Sequence, residues 1–232
     1  MTPVQLAKMI DHTQVRAYAT EEDIRELCAE AKTYGFATVT VNPAWISFCA
    51  KQLAGSDVGV SACVGFPLGA VTAHIKVEEA RDAVRNGATE IEMVINIGAL
   101  KSGYPSFVYQ EIAAVVKAVQ GIPVKVILEC SFLTEQEKVD VCKISMKAGA
   151  AYVMTATGYG HGGATPEDVG LMRQVVGETL GVKAAGGIRT YMDAVVMMES
   201  GATRIGTSVG PQLLDDMPKD VGHPGAYRRV RF

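Results

Sequence analysis

Three ionisable side chains lie within short apolar stretches, where charged residues are uncommon. Glu92, Lys125 and Lys183 each stand in a run of residues typical of a buried strand. Burying such a group costs free energy unless it is paired or used. Carboxylates and lysines held together in this way are the usual components of acid–base or amine catalysis. A structural interpretation stays open beside the catalytic one, in which Glu92 neutralises both lysines in a buried ion-pair network.

A second feature is residues 150–165, which read Ala-Ala-Tyr-Val-Met-Thr-Ala-Thr-Gly-Tyr-Gly-His-Gly-Gly-Ala-Thr. A short apolar strand that runs into a glycine-rich loop is suited to holding a ligand at the strand end. Its central residue, Met154, carries an uncharged thioether that neither transfers protons nor acts as an amine nucleophile. The chemistry available to the protein therefore depends on whether a reactive group belongs at position 154.

The elements that must position these residues follow a repeated pattern of helix, glycine and strand. Glycine followed by small residues and a β-rich apolar run occurs four times, at residues 35–41, 87–95, 149–155 and 201–207. In each case the glycine ends a helix and the chain turns directly into a strand. This arrangement is typical of βα units rather than of hairpins. Four further strands are predicted at residues 9–12, 58–64, 124–129 and 182–184.

Helical periodicity fills the intervals between these strands. Helices are predicted at residues 21–34, 43–53, 74–86, 106–119, 135–148, 166–176 and 191–200. Several of them begin after threonine, a good N-cap residue. Eight strands that alternate with helices, without a linker, predict a single (βα)8 TIM barrel over residues 1–210, with a short N-terminal helix. An open doubly wound sheet is the alternative, but its G-x-G-x-x-G first turn is missing.

The last residues of the chain depart from this pattern. Residues 211–232 contain three prolines and end in a basic segment. They are predicted to form an irregular C-terminal tail, either closed over the barrel mouth or loosely packed and disordered.

In such a barrel, chemistry takes place at the C-terminal ends of the strands. The residues there that predict a substrate site are Asp11, Thr40, Thr157, Gly158, Gly186, Gly187 and Ser208. The glycine pair and Ser208 follow the last two strands, where barrels bind phosphate through backbone N–H groups. Tight turns alone would also explain the glycines. Two small-residue loops on adjacent strands nevertheless favour an anion site.

The composition argues against several classes of protein. The 232-residue chain has a net charge of −3, so it has no basic field to attract nucleic acid. No apolar run approaches the roughly 20 residues of a membrane span, and no signal-peptide pattern is present. Five cysteines without a C-x-x-C pair predict reduced thiols in a cytoplasmic protein. The four histidines lack metal-ligand spacing, so neither a metal nor a cofactor is expected; His161, above Met154, is the one to examine.

Several longer motifs are similar to those of the 2-deoxyribose-5-phosphate aldolases, which are class I aldolases with a (βα)8 fold. The resemblance extends over about residues 10–210. Its motifs are Ile10-Asp11-His12-Thr13, Gly35-Phe36-Ala37, Val41-Asn42-Pro43, Gly65-Phe66-Pro67-Leu68-Gly69, Met93-Val94-Ile95-Asn96-Ile97-Gly98-Ala99-Leu100, Gly162-Gly163-Ala164-Thr165, Val182-Lys183-Ala184, Gly186-Gly187-Ile188-Arg189-Thr190 and Arg204-Ile205-Gly206-Thr207-Ser208. It implies a small carbonyl or sugar-phosphate substrate and a homo-oligomer, with a dimer expected.

The resemblance also shows where this chain departs from the family. The family's Schiff-base lysine aligns with Met154, and the second lysine, which tunes the first, aligns with Lys183. A proton-shuttling aspartate aligns with Glu92, a serine with Ala156, and a small polar residue of the last phosphate loop with Val209. These departures cluster at the reacting centre. They predict a divergent member that lacks the usual Schiff-base lysine.

Three functions remain open at this point. The leading one is an enzyme of altered chemistry, in which Lys183, Lys125 and Glu92 act on a small carbonyl compound and Met154 shapes the pocket. The second is an active aldolase in which Lys183 replaces the missing Schiff-base amine. The third is a catalytically silent protein that binds a sugar phosphate.

Overall fold

The barrel predicted from the repeats is present and closed. The computed structural model describes residues 1–218, in which eight parallel strands pair in sequential order and β8 pairs with β1. The strands are β1 Ile10–Gln14, β2 Thr38–Val41, β3 Gly59–Val64, β4 Glu90–Val94, β5 Val124–Ile127, β6 Tyr152–Met154, β7 Gly181–Ala185 and β8 Arg204–Thr207. The (βα)8 TIM barrel is therefore confirmed.

Helices follow the strands and pack on them and on one another. Within the described residues they are α1 Pro3–Ala7, α2 Glu21–Tyr34, α3 Ile46–Gln52, α4 Ala73–Arg85, α5 Ile97–Lys101, α6 Pro105–Ala118, α7 Glu135–Ala148, α8 Pro166–Val176, α9 Tyr191–Glu199 and α10 Gly210–Asp215. One large apolar core lies between the helices and the barrel. No helix among residues 1–218 is long and apolar enough to cross a membrane.

Local signals fix the ends of most helices. The Thr134 side chain accepts the Glu137 N–H, and the Glu137 carboxylate accepts the Thr134 N–H, which completes a capping box at the start of α7. Gly149 ends α7 at φ 82°, a left-handed conformation that glycine adopts without steric cost. The predicted helix–glycine–strand junctions are built in this way.

Two helical segments differ from the prediction. The helix predicted at residues 43–53 begins with a 3₁₀ turn, Pro43–Trp45, before α3. The five-residue helix α5 was not predicted, because it is too short to show a periodicity. Its start is nevertheless marked by Asn96, whose side chain accepts the Ala99 N–H at 2.9 Å.

The irregular tail predicted from residue 211 is wrong for its first residues. α10 includes residues 211–215, Leu213 is wholly buried, and Met217 is buried as well. The helix packs against α1 and α9, so it closes the last βα unit. The boundary predicted after residue 210 therefore falls inside a helix. Residues 219–232 lie outside the described residues, so the prediction for them stays a prediction.

The inside of the barrel is filled by layers of four side chains from alternate strands, as in other (βα)8 barrels. The strand registers give, from the bottom upward, Thr38, Glu90, Tyr152 and Arg204, then Asp11, Ser61, Lys125 and Lys183, then Thr40, Glu92, Met154 and Gly206. Barrel interiors are usually filled by Val, Ile and Leu. Here almost every member is polar, and Met154 is the large apolar exception.

Candidate functional site

A cavity of about 460 Å³ lies at the C-terminal ends of the strands. Eight of the predicted site residues line it: Thr40, Glu92, Met154, Thr157, Gly158, Gly186, Gly187 and Ser208. Three others lie beneath it, namely Asp11, Lys125 and Lys183, whose side chains are fully buried. The structure therefore brings the predicted residues together at one end of the barrel, eight on the wall of the cavity and three in the layer below it.

Three cations and three carboxylates form a network beneath the cavity: Lys125, Lys183, Arg204, Asp11, Glu90 and Glu92. Lys125 Nζ lies 2.6 Å from Asp11 Oδ2, 2.7 Å from Glu90 Oε2 and 2.9 Å from Glu92 Oε1. Lys183 Nζ lies 2.8 Å from Asp11 Oδ2 and 2.5 Å from Glu92 Oε1. The six formal charges sum to zero, so each cation is compensated within the barrel.

Asp11 is a counterion in this network and does not line the cavity. Its Oδ1 accepts hydrogen bonds from Thr38 Oγ1 and Arg204 at 2.8 Å each. Burial alone would raise the pKa of Asp11, but Lys125, Lys183 and Arg204 together hold it well below its usual range. This placement does not favour the predicted contact of Asp11 with substrate, because cations occupy both of its oxygens.

The two lysines are held as ion-paired groups and also stand apart from the cavity. Burial alone would lower the pKa of Lys125, but Asp11, Glu92 and Glu90 outweigh it and raise that pKa. Lys125 is therefore an ammonium ion that does not line the cavity, and a catalytic role for it stays a prediction. Lys183 packs beside Gly206, where a Cβ would lie 2.9 Å from its Cε.

Glu92 is the charged group of the network that reaches the cavity. Its Oε1 accepts from Thr40 at 3.1 Å, from Ser61 at 2.9 Å and from both lysines. Burial would raise the pKa of Glu92, but Lys125 and Lys183 lower it to about 2. Among residues 1–218 these donors all bind Oε1, which leaves Oε2 for a ligand. Glu92 is therefore a permanent carboxylate and a weak base.

Met154 forms the apolar part of the cavity floor. It is 5% exposed and packs with Val94, Ile127 and Ala185 in a small cluster separate from the main core. β6 and β7 place Met154 directly beside Lys183 in the strand register. A side chain at position 154 thus stands next to the buried lysine and faces the cavity. The thioether supplies contact area there and no charge.

The predicted anion loops form one wall of the cavity. Gly186 and Gly187 have φ values of 96° and 81°, which glycine tolerates. A Cβ at Gly186 would lie 2.9 Å from the Gly163 Cα, so the loops after β6 and β7 approach each other closely. Arg189 lines the same wall and was missed, although it directly follows the Gly-Gly-Ile segment. Arg16, on the loop after β1, also lines the cavity and was missed.

Histidine and metal chemistry find no support at this site. His161 packs edge-on against Phe132, with 5.0 Å between the ring centroids, and does not line the cavity. Within the described part of the chain, no group of three or more His, Cys, Asp or Glu side chains is arranged to hold a metal ion. The polar side chains of the residues that line the cavity are hydroxyls, two arginines, the Gln14 amide, the Cys63 thiol and the Glu92 carboxylate.

Comparison with known proteins agrees with this architecture. The model of the DeoC/LacD family aldolases matches residues 5–214. A deoxyribose-phosphate aldolase from Caldanaerobacter subterraneus subsp. tengcongensis is 53% identical over 219 residues, which cover 93% of this chain and 95% of that protein. One from Methanothermobacter thermautotrophicus is 54% identical over 215 residues, covering 92% and 96%.

A solved structure agrees as well. The deoxyribose phosphate aldolase from Aeropyrum pernix, described as having a unique tetrameric structure, superposes with a TM-score of 0.87 at 35% identity. The superposition covers 92% of this chain and 91% of that one. Fold, motif positions and overall similarity all point the same way, and the chain belongs to the DeoC/LacD family of aldolases.

Proposed function

We propose that this chain is a deoxyribose-phosphate-aldolase-like enzyme that acts on a small phosphorylated carbonyl compound without a Schiff base at residue 154. The observation that carries the proposal is the position of Met154, on the cavity floor beside Lys183. The relatives named deoxyribose-phosphate aldolases support a lyase. The thioether at the position of the family's reactive amine supports altered chemistry.

An imine needs a neutral amine that can reach the carbonyl carbon. Lys125 and Lys183 are wholly buried and lie within 3 Å of two or more carboxylate oxygens each. An ammonium ion held in this way has no lone pair to offer. The geometry therefore favours a reaction in which both lysines act through Glu92 and not as nucleophiles.

The remaining groups suit binding and electrostatic work. Backbone N–H groups at Gly186, Gly187 and Ser208, with Arg189 beside them, would hold a phosphate at one wall of the cavity. Glu92 Oε2 would present a negative charge to the reacting end of the substrate. Because the Glu92 pKa is about 2, it stabilises positive charge or accepts a hydrogen bond better than it removes a proton. The proposed reaction class is cleavage or formation of a C–C or C–X bond next to a carbonyl.

A catalytically silent sugar-phosphate-binding protein is the second candidate, and the charge balance of the network favours it. Every cation beneath the cavity is paired with a carboxylate of the same network. Such a neutral cluster needs no reaction to explain its presence. An aldolase that uses Lys183 as the amine is a third candidate, since Gly206 lines the cavity and a Cβ there would lie 3.5 Å from Lys183 Nζ.

Borohydride reduction separates these candidates. The protein is incubated with 2-deoxyribose 5-phosphate or acetaldehyde, reduced, digested and mapped by mass spectrometry, with Met154→Lys as positive control and Met154→Leu as size-matched control. We expect an adduct at position 154 of Met154→Lys alone. An adduct on Lys183 of the unaltered protein would replace the leading proposal with the aldolase that uses Lys183 as its amine.

Turnover assays then separate the enzyme from the silent binder. We expect the unaltered protein to consume a phosphorylated carbonyl compound, and Glu92→Gln to lose most of that activity while it still binds phosphate. Binding of 2-deoxyribose 5-phosphate without turnover across a panel of such compounds would favour the silent binder.

We also expect a homo-oligomer, as the resemblance implies, and a cytoplasmic location, which the five free, buried cysteines support. The relative from Aeropyrum pernix is tetrameric, whereas the resemblance suggests a dimer. Light scattering coupled to size-exclusion chromatography measures the mass directly and distinguishes a monomer, a dimer and a tetramer.

A further inference from the structure

We infer that Glu129 is a positioning residue for the cavity, acting through Thr157. Glu129 follows β5 and precedes the 3₁₀ turn Cys130–Phe132, and its side chain is 1% exposed. It does not line the cavity, so it touches no ligand itself. Its carboxylate instead binds the loop after β6, and that loop lines the cavity.

The contact between the two residues is double. Glu129 Oε2 accepts the Thr157 N–H at 3.1 Å and also accepts a short hydrogen bond from the Thr157 hydroxyl. The same hydroxyl oxygen accepts the Tyr159 N–H at 3.0 Å. Because its one hydrogen is donated to Glu129, Thr157 can offer a ligand only a lone pair. Glu129 thus fixes the position of Thr157 at the cavity wall and makes its hydroxyl group an acceptor only.

The backbone around Glu129 is shaped for this contact. Glu129 has φ 57°, and it is the one non-glycine residue among residues 1–218 with a positive φ. Side chains rarely adopt that conformation, and a residue held there indicates that its surroundings demand it. A Cβ at Gly160 would lie 2.7 Å from Glu129 Oε1, so the loop can cover the carboxylate only with glycine there.

The chain of contacts continues across the mouth of the cavity. The Tyr159 hydroxyl donates to the Val15 carbonyl on the loop after β1, at 2.8 Å. The Tyr159 ring also meets Phe66, from the loop after β3, edge-on at 5.6 Å. Glu129 therefore supports, through Thr157, a loop that connects opposite sides of the barrel opening.

The consequence for specificity rests on the proposed function. Thr40, on the other side of the floor, likewise donates its hydroxyl hydrogen to a carboxylate, that of Glu92. The cavity is therefore lined by two residues, Thr40 and Thr157, whose hydroxyl groups can only accept hydrogen bonds from a ligand. They fit a ligand that brings its own hydroxyl donors, as a phosphorylated sugar or polyol does, and Glu129 is what holds Thr157 to that role.

Amide hydrogen exchange measured by NMR tests the positioning role without any ligand. Glu129→Ala, Thr157→Val and the double variant are compared with the unaltered protein, and Glu178→Gln is the control at an exposed carboxylate without a partner in the described structure. We expect Glu129→Ala to speed exchange at the Thr157 and Tyr159 amides at least about tenfold, with the β-strands unchanged. Thr157→Val should speed exchange at Tyr159.

The double variant decides whether the two residues act together. If Glu129 acts through Thr157, the double variant exchanges no faster at Tyr159 than Thr157→Val does. Additive effects, or unchanged exchange in Glu129→Ala, would overturn the inference. Glu129→Gln keeps one acceptor oxygen and should restore protection at Thr157. The glutamine variant also provides a second measurement if the alanine variant misfolds. Unchanged exchange in both variants would again overturn the inference.

Calorimetry with 2-deoxyribose 5-phosphate tests whether Glu129 affects the affinity for a ligand that carries hydroxyl groups. We expect Glu129→Ala and Thr157→Val each to weaken binding about tenfold, and the double variant to bind no more weakly. If the unaltered protein does not bind this compound, the proposed function fails, while the exchange experiment still decides the role of Glu129. Additive losses in affinity would contradict the coupling.

Discussion

Two neighbouring layers of the barrel bury side chains of opposite character, charged in the lower layer and apolar at position 154 of the upper one. The lower one holds Asp11, Lys125 and Lys183, buried charges whose partners lie within 3 Å. The upper one holds Met154, packed against Val94, Ile127 and Ala185. The lower layer is stable because each charge has a counter-charge. Position 154 of the upper layer carries no charge and therefore needs no counter-charge.

The contrast shows that an uncharged residue at position 154 leaves the ion pairs beneath it complete. A lysine at position 154 would add a cation to a network whose charges already sum to zero. Methionine instead fills the space with a flexible apolar side chain and leaves the network unchanged. The charged layer then needs no adjustment, because Glu92 satisfies Lys183 directly at 2.5 Å.

The largest effect is expected from breaking the charged layer. Asp11→Asn keeps the shape of the side chain but removes the charge that faces Lys125, Lys183 and Arg204. Because buried cations are then left uncompensated, unfolding in urea should show a loss of about 3–5 kcal/mol. Asp57→Asn, at an exposed carboxylate, is the matched control and should change stability little. A loss below about 1 kcal/mol would mean that water already screens the network.

Placing a second charge in the layer of Met154 should cost less. In Met154→Lys the new amine joins a network whose formal charges already sum to zero, and Lys183 beside it disfavours a second cation. Its pKa should fall by about two units, which costs about 3 kcal/mol at neutral pH. Met154→Leu conserves volume and should cost less than about 1.5 kcal/mol. NMR titration of the lysine side chain and urea unfolding measure both effects; an unshifted pKa would contradict the stated contrast.

Acid should weaken the ion-pair network selectively. The folded-state pKa of Glu92 is about 2, below its usual value of 4.5, so its ionised form stabilises the folded protein above pH 4.5. That contribution is lost as the pH falls toward 2. We expect Tm to drop between about pH 5 and about pH 3, with a smaller drop in Glu92→Gln. Equal slopes for the two proteins would assign the acid sensitivity to other carboxylates.

The smallest effect is expected where one neutral donor is removed from the shared oxygen. Thr40→Val removes a 3.1 Å hydrogen bond to Glu92 Oε1, which keeps its bonds to Ser61 and the lysines. The free energy of unfolding should fall by about 1 kcal/mol. Thr179→Val on the surface provides the control, and chemical denaturation detects the difference. A loss as large as that of Asp11→Asn would show that the charges depend on this hydroxyl.

Much of the fold followed from local patterns in the chain. The glycines at 35 and 149 and the threonine caps mark helix ends by their own chemistry, so the βα repeat was visible without tertiary contacts. The short helix α5 and the first residues after 210 were missed or misjudged. A five-residue helix shows no period, and the composition of the whole tail obscured the helix at its start.

The sequence by itself determined the βα repeat, the strand ends at which the cavity lies, and a methionine at the end of β6. Tertiary structure alone decided which groups meet. Arg204 binds Asp11 across 193 positions, and Lys125 binds it across 114. Those pairs depend on how far each strand is shifted against its neighbour when the barrel closes, a quantity that no local pattern encodes. For the same reason only the folded barrel shows that Lys183 and Lys125 are paired below the cavity while Met154 faces it.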